Sequence, residues 1–326
     1  MTGRSALRAA TLTAGALLAF AANTVLCRLA LGTAAIDPAA FTVIRLVSGA
    51  AALWLTTVLL RRGNPIGRSG SWTSAGMLFV YAAAFSFAYV NLTASIGALL
   101  LFGSVQATMI LAGLRTGERP HALAWIGIVI ALGGLLVLVL PGAHAPSFGG
   151  SLLMAVAGGA WGIYSLRGRA ATGAPTGAPT GTATSTGTST GIDPIATTTD
   201  HFARAVPFVL ALALLRLPGL HASPRGLLLA IISGAVTSGL GYVVWYAALP
   251  TMTATRAAAV QLTVPVLAAF GGVLFLAETP TLRLFVAAFL ILGGVALTAV
   301  GRGRVIRSAV ERAGPAPRHR GGEQRP

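Results

Sequence analysis

The chain has 326 residues, 55% of them hydrophobic and 9% charged, with a mean hydropathy of +0.80. Soluble domains carry roughly a quarter charged residues, so this composition excludes a soluble globular protein and describes an integral membrane chain. All 23 basic residues are Arg, set against seven carboxylates for a net +16, and Cys27 is the one cysteine; this excludes a P-loop, Lys-based covalent chemistry, an internal disulfide and a cysteine zinc cluster.

A helix needs about 20 mostly apolar residues to cross the hydrocarbon. Runs between Arg, Pro and Gly-rich breaks predict ten spans, taken here in chain order. The first, 9–31, follows Arg4 and Arg8 and has small residues at Ala19–Ala22. A signal peptide shares those features, but the repeat described below needs this run as a retained span. It carries Asn23 about two-thirds of the way along and Arg28 near its end. The second span, 39–60, follows Asp37-Pro38 and holds Arg45. The third, 73–92, aligns Tyr81, Phe85 and Tyr89 on one face by i, i+4 spacing. The fourth, 94–114, places Gln106 and Thr108 near its centre, and the fifth, 121–141, contains Gly133-Gly134. The sixth, 150–166, is short and sets Trp161 and Tyr164 on a shared face.

A Thr/Gly-rich tract follows at 171–191; lacking charges and an apolar face, it reads as a flexible loop. The seventh span is placed at 202–220, and the eighth, 226–249, offers Tyr242, Trp245 and Tyr246. The ninth, 254–276, has Gln261 one turn before Pro265, a mid-span proline of the kind that frees a carbonyl at transporter sites. The tenth is 282–300, and the basic tail 301–326, with its Pro and Gly, is expected to be disordered near anionic headgroups.

Eighteen of the 23 Arg fall on one side when the N-terminus is cytoplasmic, so residues 1–8 and both termini are predicted inside. The +16 is therefore mostly topology information, with no nucleic-acid partner implied. A shift of 160 residues superposes Thr93-Ala94-Ser95 on Thr253-Ala254-Thr255, Glu118-x-Pro120 on Glu278-x-Pro280, and Gly133-Gly134 on Gly293-Gly294. The pattern Arg28…Asp37-Pro38…Arg45 recurs as Arg167…Asp193-Pro194…Arg204, with the Thr/Gly tract as the extra length. The chain is thus read as two five-span repeats, 9–141 and 150–300. An odd span count inverts the second repeat, an architecture that encloses a site near the midplane and exposes it alternately to each side.

Five plus five spans, the Asp37-Pro38 turn with Phe41…Arg45, the Glu-x-Pro corners and the Asn23–Leu31 stretch resemble the EamA-type members of the drug/metabolite transporter superfamily. That resemblance implies a proton-coupled or facilitative carrier in the plasma membrane, usually an exporter of amino acids, related metabolites or drugs.

No Asp, Glu or His is placed well within a predicted span, so a proton-relay carboxylate is not evident. Substrate contact is expected from Asn23, Tyr81, Gln106, Trp161, Tyr164, Tyr242, Trp245 and Gln261, around an uncharged cavity. Interhelical hydrogen bonds by Asn and Gln are the structural alternative. Trp54, Trp72 and Trp125 suit an interfacial belt. Arg28, Arg45, Arg167 and Arg204 either snorkel to the interface or form gating ion pairs, and Arg256 is available to an anionic group. No cofactor or metal site is expected, and the carrier is a monomer or homodimer. Two rivals are weighed. A membrane-embedded enzyme acting on lipid or isoprenoid substrates lacks its catalytic clusters here, and an ion channel usually needs rings from several subunits.

Overall fold

A computed structural model describes residues 3–61, 70–115, 122–140, 146–171, 194–248, 260–261 and 263–313. Among these residues there is no strand, only helices: α1 (Gly3–Gly32), α2 (Pro38–Arg61), α3 (Trp72–Ala88), α4 (Ala94–Arg115), α5 (Ala122–Val139), α6 (Phe148–Ala171) and α7 (Pro194–Leu215). They continue with α8 (Pro224–Ile231), a π-helical segment (Ile232–Leu240), α9 (Gly241–Ala248), α10 (Thr263–Leu276) and α11 (Leu282–Ala313). Six stretches are long and apolar enough to cross a membrane: Leu7–Gly32, Pro38–Leu59, Ala94–Arg115, Phe148–Gly168, Ile195–Leu215 and Pro224–Trp245. Trp72–Ala88, Trp125–Leu138, Thr263–Leu276 and Leu282–Leu297 are shorter apolar helices. The bundle turns large apolar side chains outward, Leu59, Leu214 and Phe289 among them, as a lipid-facing surface requires. Trp54, Trp72 and Trp125 are exposed.

Packing follows the repeat. The α1 helix lies against α9 and α10 as α6 lies against α3 and α4. The α2 helix packs on the π-helical segment as α7 packs on α3. Three contacts join equivalents directly: α2 with α7, α4 with α10, and α5 with α11. Exchanging the halves therefore maps the contact pattern onto itself. At one end of the bundle the connectors interlock. The Asp37 N–H donates to the His221 carbonyl at 3.0 Å, the Ser223 N–H donates to Ala35 at 2.8 Å, and Ile36 and Ala222 form an isolated antiparallel bridge.

Two expectations change. The seventh helix starts at Pro194 rather than near 202, so Asp200 and His201 lie inside a helix and not ahead of it. The polar run Thr197-Thr198-Thr199-Asp200-His201 resembles a loop in hydropathy but is buried in full. The second correction is at the basic tail: α11 continues through Ala313 rather than ending near 300. No proline intervenes before Pro315, and Arg, Ala and Glu are good helix formers. The Thr/Gly tract, Asp193, Glu118 and Arg256 lie outside the described residues.

The paired glycines serve packing unequally. A Cβ on Gly294 would sit 2.5 Å from the Gly127 carbonyl and 2.6 Å from the Ala131 nitrogen, whereas one on Gly293 would meet nothing within 4 Å. Helix α11 thus approaches α5 at Gly294 more closely than any side chain allows. Overpacking there should cost about 1–3 kcal/mol. Gly294→Val is expected to lower the thermal midpoint of the protein in detergent micelles, and Gly293→Val to leave it nearly unchanged.

Candidate functional site

A small cavity lies where α1, α2, α3, α4, α6, the π-helical segment and α9 converge. Its wall has a polar side and an aromatic side. On the polar side Asn23 of α1 is held by the π-helical segment. Its Oδ1 accepts from Ser233 Oγ at 2.7 Å, and the Thr237 hydroxyl, 3.2 Å away, is shared with the Ser233 carbonyl at 2.7 Å. A π-helix widens the turn and re-aims side chains, and such segments are frequent at functional sites. Gly234 lets the same segment come close to α2, because a Cβ there would overlap Ser48 Oγ and the Arg45 carbonyl.

Arg45, seven residues into α2, is 2% exposed. Its Nε donates to Ser238 Oγ at 3.2 Å and its Nη2 to the Tyr81 hydroxyl at 3.1 Å. The guanidinium carbon stands 5.3 Å from the centre of the Tyr81 ring and 5.0 Å from that of Phe85. Cation–π attraction accounts for part of its stabilisation. Arg45 therefore does not snorkel to the interface; it lines the cavity. The expectation of an uncharged cavity is corrected accordingly.

The aromatic side is continuous. Tyr81 and Trp161 have ring centres 4.8 Å apart, and Trp161 stacks on Tyr242 at 5.4 Å and on Tyr164 at 5.4 Å. Phe20 bridges Tyr242 at 5.9 Å and Trp245 at 5.8 Å. Asn23, Tyr81, Trp161, Tyr242 and Gln261 thus line the cavity together, and Tyr164 and Trp245 stand behind that lining. Gln106 is half-buried on α4 and does not line it. Pro265 is buried within α10. Thr24, Thr237, Ser238, Phe20, Leu101 and Phe102 complete the wall and were not singled out from the sequence. Short hydroxyls and Leu or Phe in an apolar run carry no local signal for a cavity.

Other arginines and acids among the described residues lie nearer the two ends of the bundle. Arg28 Nη1 donates to the Tyr89 and Val90 carbonyls at 2.9 and 3.0 Å, and its Nε lies 4.0 Å from Glu278. Glu278 caps the start of α4, accepting from the Ala94 N–H at 2.6 Å and from Ser95 Oγ at 3.2 Å. Asp37 caps α2 through the Ala39 and Ala40 N–H groups at 2.8 and 3.1 Å. Toward the opposite end, Asp200 accepts from the Gly70 N–H at 3.0 Å and lies 3.8 Å from Arg204, one turn on. His201 Nδ1 and the Tyr164 hydroxyl are 3.2 Å apart. Arg167 donates to Ser74 and Ser71 at 3.2 and 3.1 Å. Among the described residues no cluster of three or more His, Cys, Asp or Glu could hold a metal ion.

Apolar helices related by an exchange of halves, around a cavity furnished by both, define a multi-pass membrane protein of the transporter kind. The chain belongs to the EamA-like transporter family, whose model matches residues 7–140 and again 149–300. It is 50% identical to the uncharacterized protein PA1977 of Pseudomonas aeruginosa over 299 residues, covering 91% of this chain and 96% of that protein. A solved crystal structure superposes with a TM-score of 0.60 at 19% identity, over 90% of this chain and 98% of the other, a likeness of fold.

Glu278 offers a direct check on the capped end. Loss of an N-terminal capping group typically costs about 0.5–2 kcal/mol. Glu278→Ala is expected to lower the unfolding midpoint by that measure in micelles, and Glu278→Gln, which keeps an acceptor, by less.

Proposed function

We propose that the protein is a secondary carrier that exports small metabolites, aromatic or amino-acid-like solutes, across the plasma membrane by alternating access. In this reading the apolar helices make ten spans, the second repeat is inverted relative to the first, and both termini are cytoplasmic. The observation that carries the proposal is the cavity's composition from both halves: Asn23, Arg45 and Tyr81 come from the first repeat, Trp161, Thr237 and Tyr242 from the second. A site at that junction is exposed to alternate faces when one half rocks against the other. Family membership favours transport over the enzyme reading, since EamA proteins are transporters. The cavity is complete within one chain, which suits a monomer or a homodimer of independent carriers.

Accelerated uptake of labelled solute into preloaded proteoliposomes is the expected behaviour. Saturation-free currents would indicate a channel, and product formation without net movement an enzyme. Trp161 stacks between two tyrosines at the cavity wall, and a buried aromatic anchor contributes about 2 kcal/mol or more. Trp161→Ala is therefore expected to reduce counterflow by an order of magnitude or more at low solute, whereas Trp125→Ala on the exposed face leaves it intact.

Proton coupling, where present, is assigned to Asp200 and His201, which are buried within α7. An ionisable group inside a span is a functional candidate by default. Asp200→Asn is expected to abolish accumulation driven by an imposed pH gradient and to preserve solute-for-solute counterflow. Loss of both together would reduce Asp200 to a structural role.

A further inference from the structure

Each repeat places an arginine in its second helix, Arg45 as the eighth residue of α2 and Arg204 as the eleventh of α7. Their surroundings differ. Arg204 has Asp200 one turn earlier, 3.8 Å away. The residue one turn before Arg45 is Phe41, which is fully buried. The second repeat thus neutralises its arginine on its own helix and the first does not.

Among the described residues nothing else makes up the difference. The carboxylates with described side chains are Asp37, Asp200 and Glu278, and all three are engaged with other groups. No carboxylate among the described residues comes within 4.0 Å of Arg45. Two of its nitrogens meet neutral hydroxyls, and Nη1, buried, has no hydrogen-bond partner. A guanidinium does not shed its proton to escape burial. It keeps a full charge and unused N–H donors, in the fork geometry that carboxylates match.

We infer that Arg45 receives the anionic end of the solute, and that the solute is a net monoanion, an aromatic or branched carboxylate, rather than a zwitterion or a cation. The inference deepens the carrier reading and rests on it. The described cavity wall holds one cation and no anion, so an ammonium brought in beside Arg45 meets a like charge with nothing to offset it. Tyr81, Trp161 and Tyr242 supply a face for the apolar body.

The test uses the full-length protein in lipid nanodiscs with four probes of one shape: 3-phenylpropionate, phenylalanine, phenethylamine and 3-phenylpropanol. Calorimetric titration is expected to rank phenylpropionate at least about 10-fold tighter than the other three. Arg45→Gln should weaken phenylpropionate by about 10- to 100-fold, the range for a hydrogen bond to a charged group, and leave phenylpropanol where it was. Arg45→Lys, which keeps the charge without the fork, should fall between. If the Gln variant does not fold, the probe ranking on the unaltered protein and the Lys variant decide. Equal affinity for the alcohol or amine, binding of none of the four, or an unchanged preference in Arg45→Gln overturns the inference. Counterflow of the same compounds separates the two readings. Arg45-dependent binding of phenylpropionate without exchange keeps the anion site and removes the carrier. Exchange of phenethylamine or phenylpropanol with phenylpropionate excluded keeps the carrier and removes the anion site.

Discussion

An arginine inside an apolar bundle keeps its proton, so every one that is buried must find acceptors, aromatic faces or water. This chain has no lysine and seven carboxylates for 23 arginines, which makes that constraint the organising one. Arg28 is met by two carbonyls at the end of α3 and by Glu278, and Arg283 by the Val137 carbonyl at the end of α5. Arg167 is met by two serines at the start of α3, and Arg204 by Asp200. The contacts of Arg28, Arg283 and Arg167 tie a helix end to a neighbour, whereas that of Arg204 stays within α7. The cap that Glu278 places on α4 also joins the two repeats, because it reaches across 184 residues of sequence. Arg45 alone in this set stands at the cavity, held by hydroxyls and ring faces.

Helices α5 and α11 do not line the cavity, and their close approach at Gly134 and Gly294 makes a compact pair beside it. The cavity-lining helices meet across the junction of the halves through small residues and hydroxyls. There the π-helical segment trades regular α geometry for a wider turn that places Ser233, Thr237 and Ser238 against Asn23 and Arg45. The tight helix pair and the cavity are thus separated in space: glycine-mediated backbone contact on one side, hydroxyl and aromatic contact on the other.

Much of this arrangement was legible in the sequence, and the failures have identifiable causes. Apolar runs, the 160-residue shift and the aromatic spacings located the helices, the repeat and five of the cavity-lining residues. Span seven was displaced because Thr197 to His201 score as polar, although they are buried, with the Thr199 hydroxyl back-bonded to the Ile195 carbonyl and facing Thr57. For Arg45 the sequence left interfacial snorkelling and a gating ion pair open, because hydropathy gives depth along the chain and not direction across the bundle. These helices are apolar all round, so no stripe marks the inward face. Gln106 and Trp245 were chosen by residue type at a central position, and the rotation of α4 and α9 decided against both as lining residues.

The difference between Phe41, one turn before Arg45, and Asp200, one turn before Arg204, has a consequence for direction. Two identical halves would make a cavity without a head or a tail, and a bound molecule could lie either way round. With one half's cation silenced by its own helix and the other's left bare, the interior is polarised along the line joining the halves. In the proposed carrier, a monoanion that obeys that polarity is seated in a single orientation between the halves.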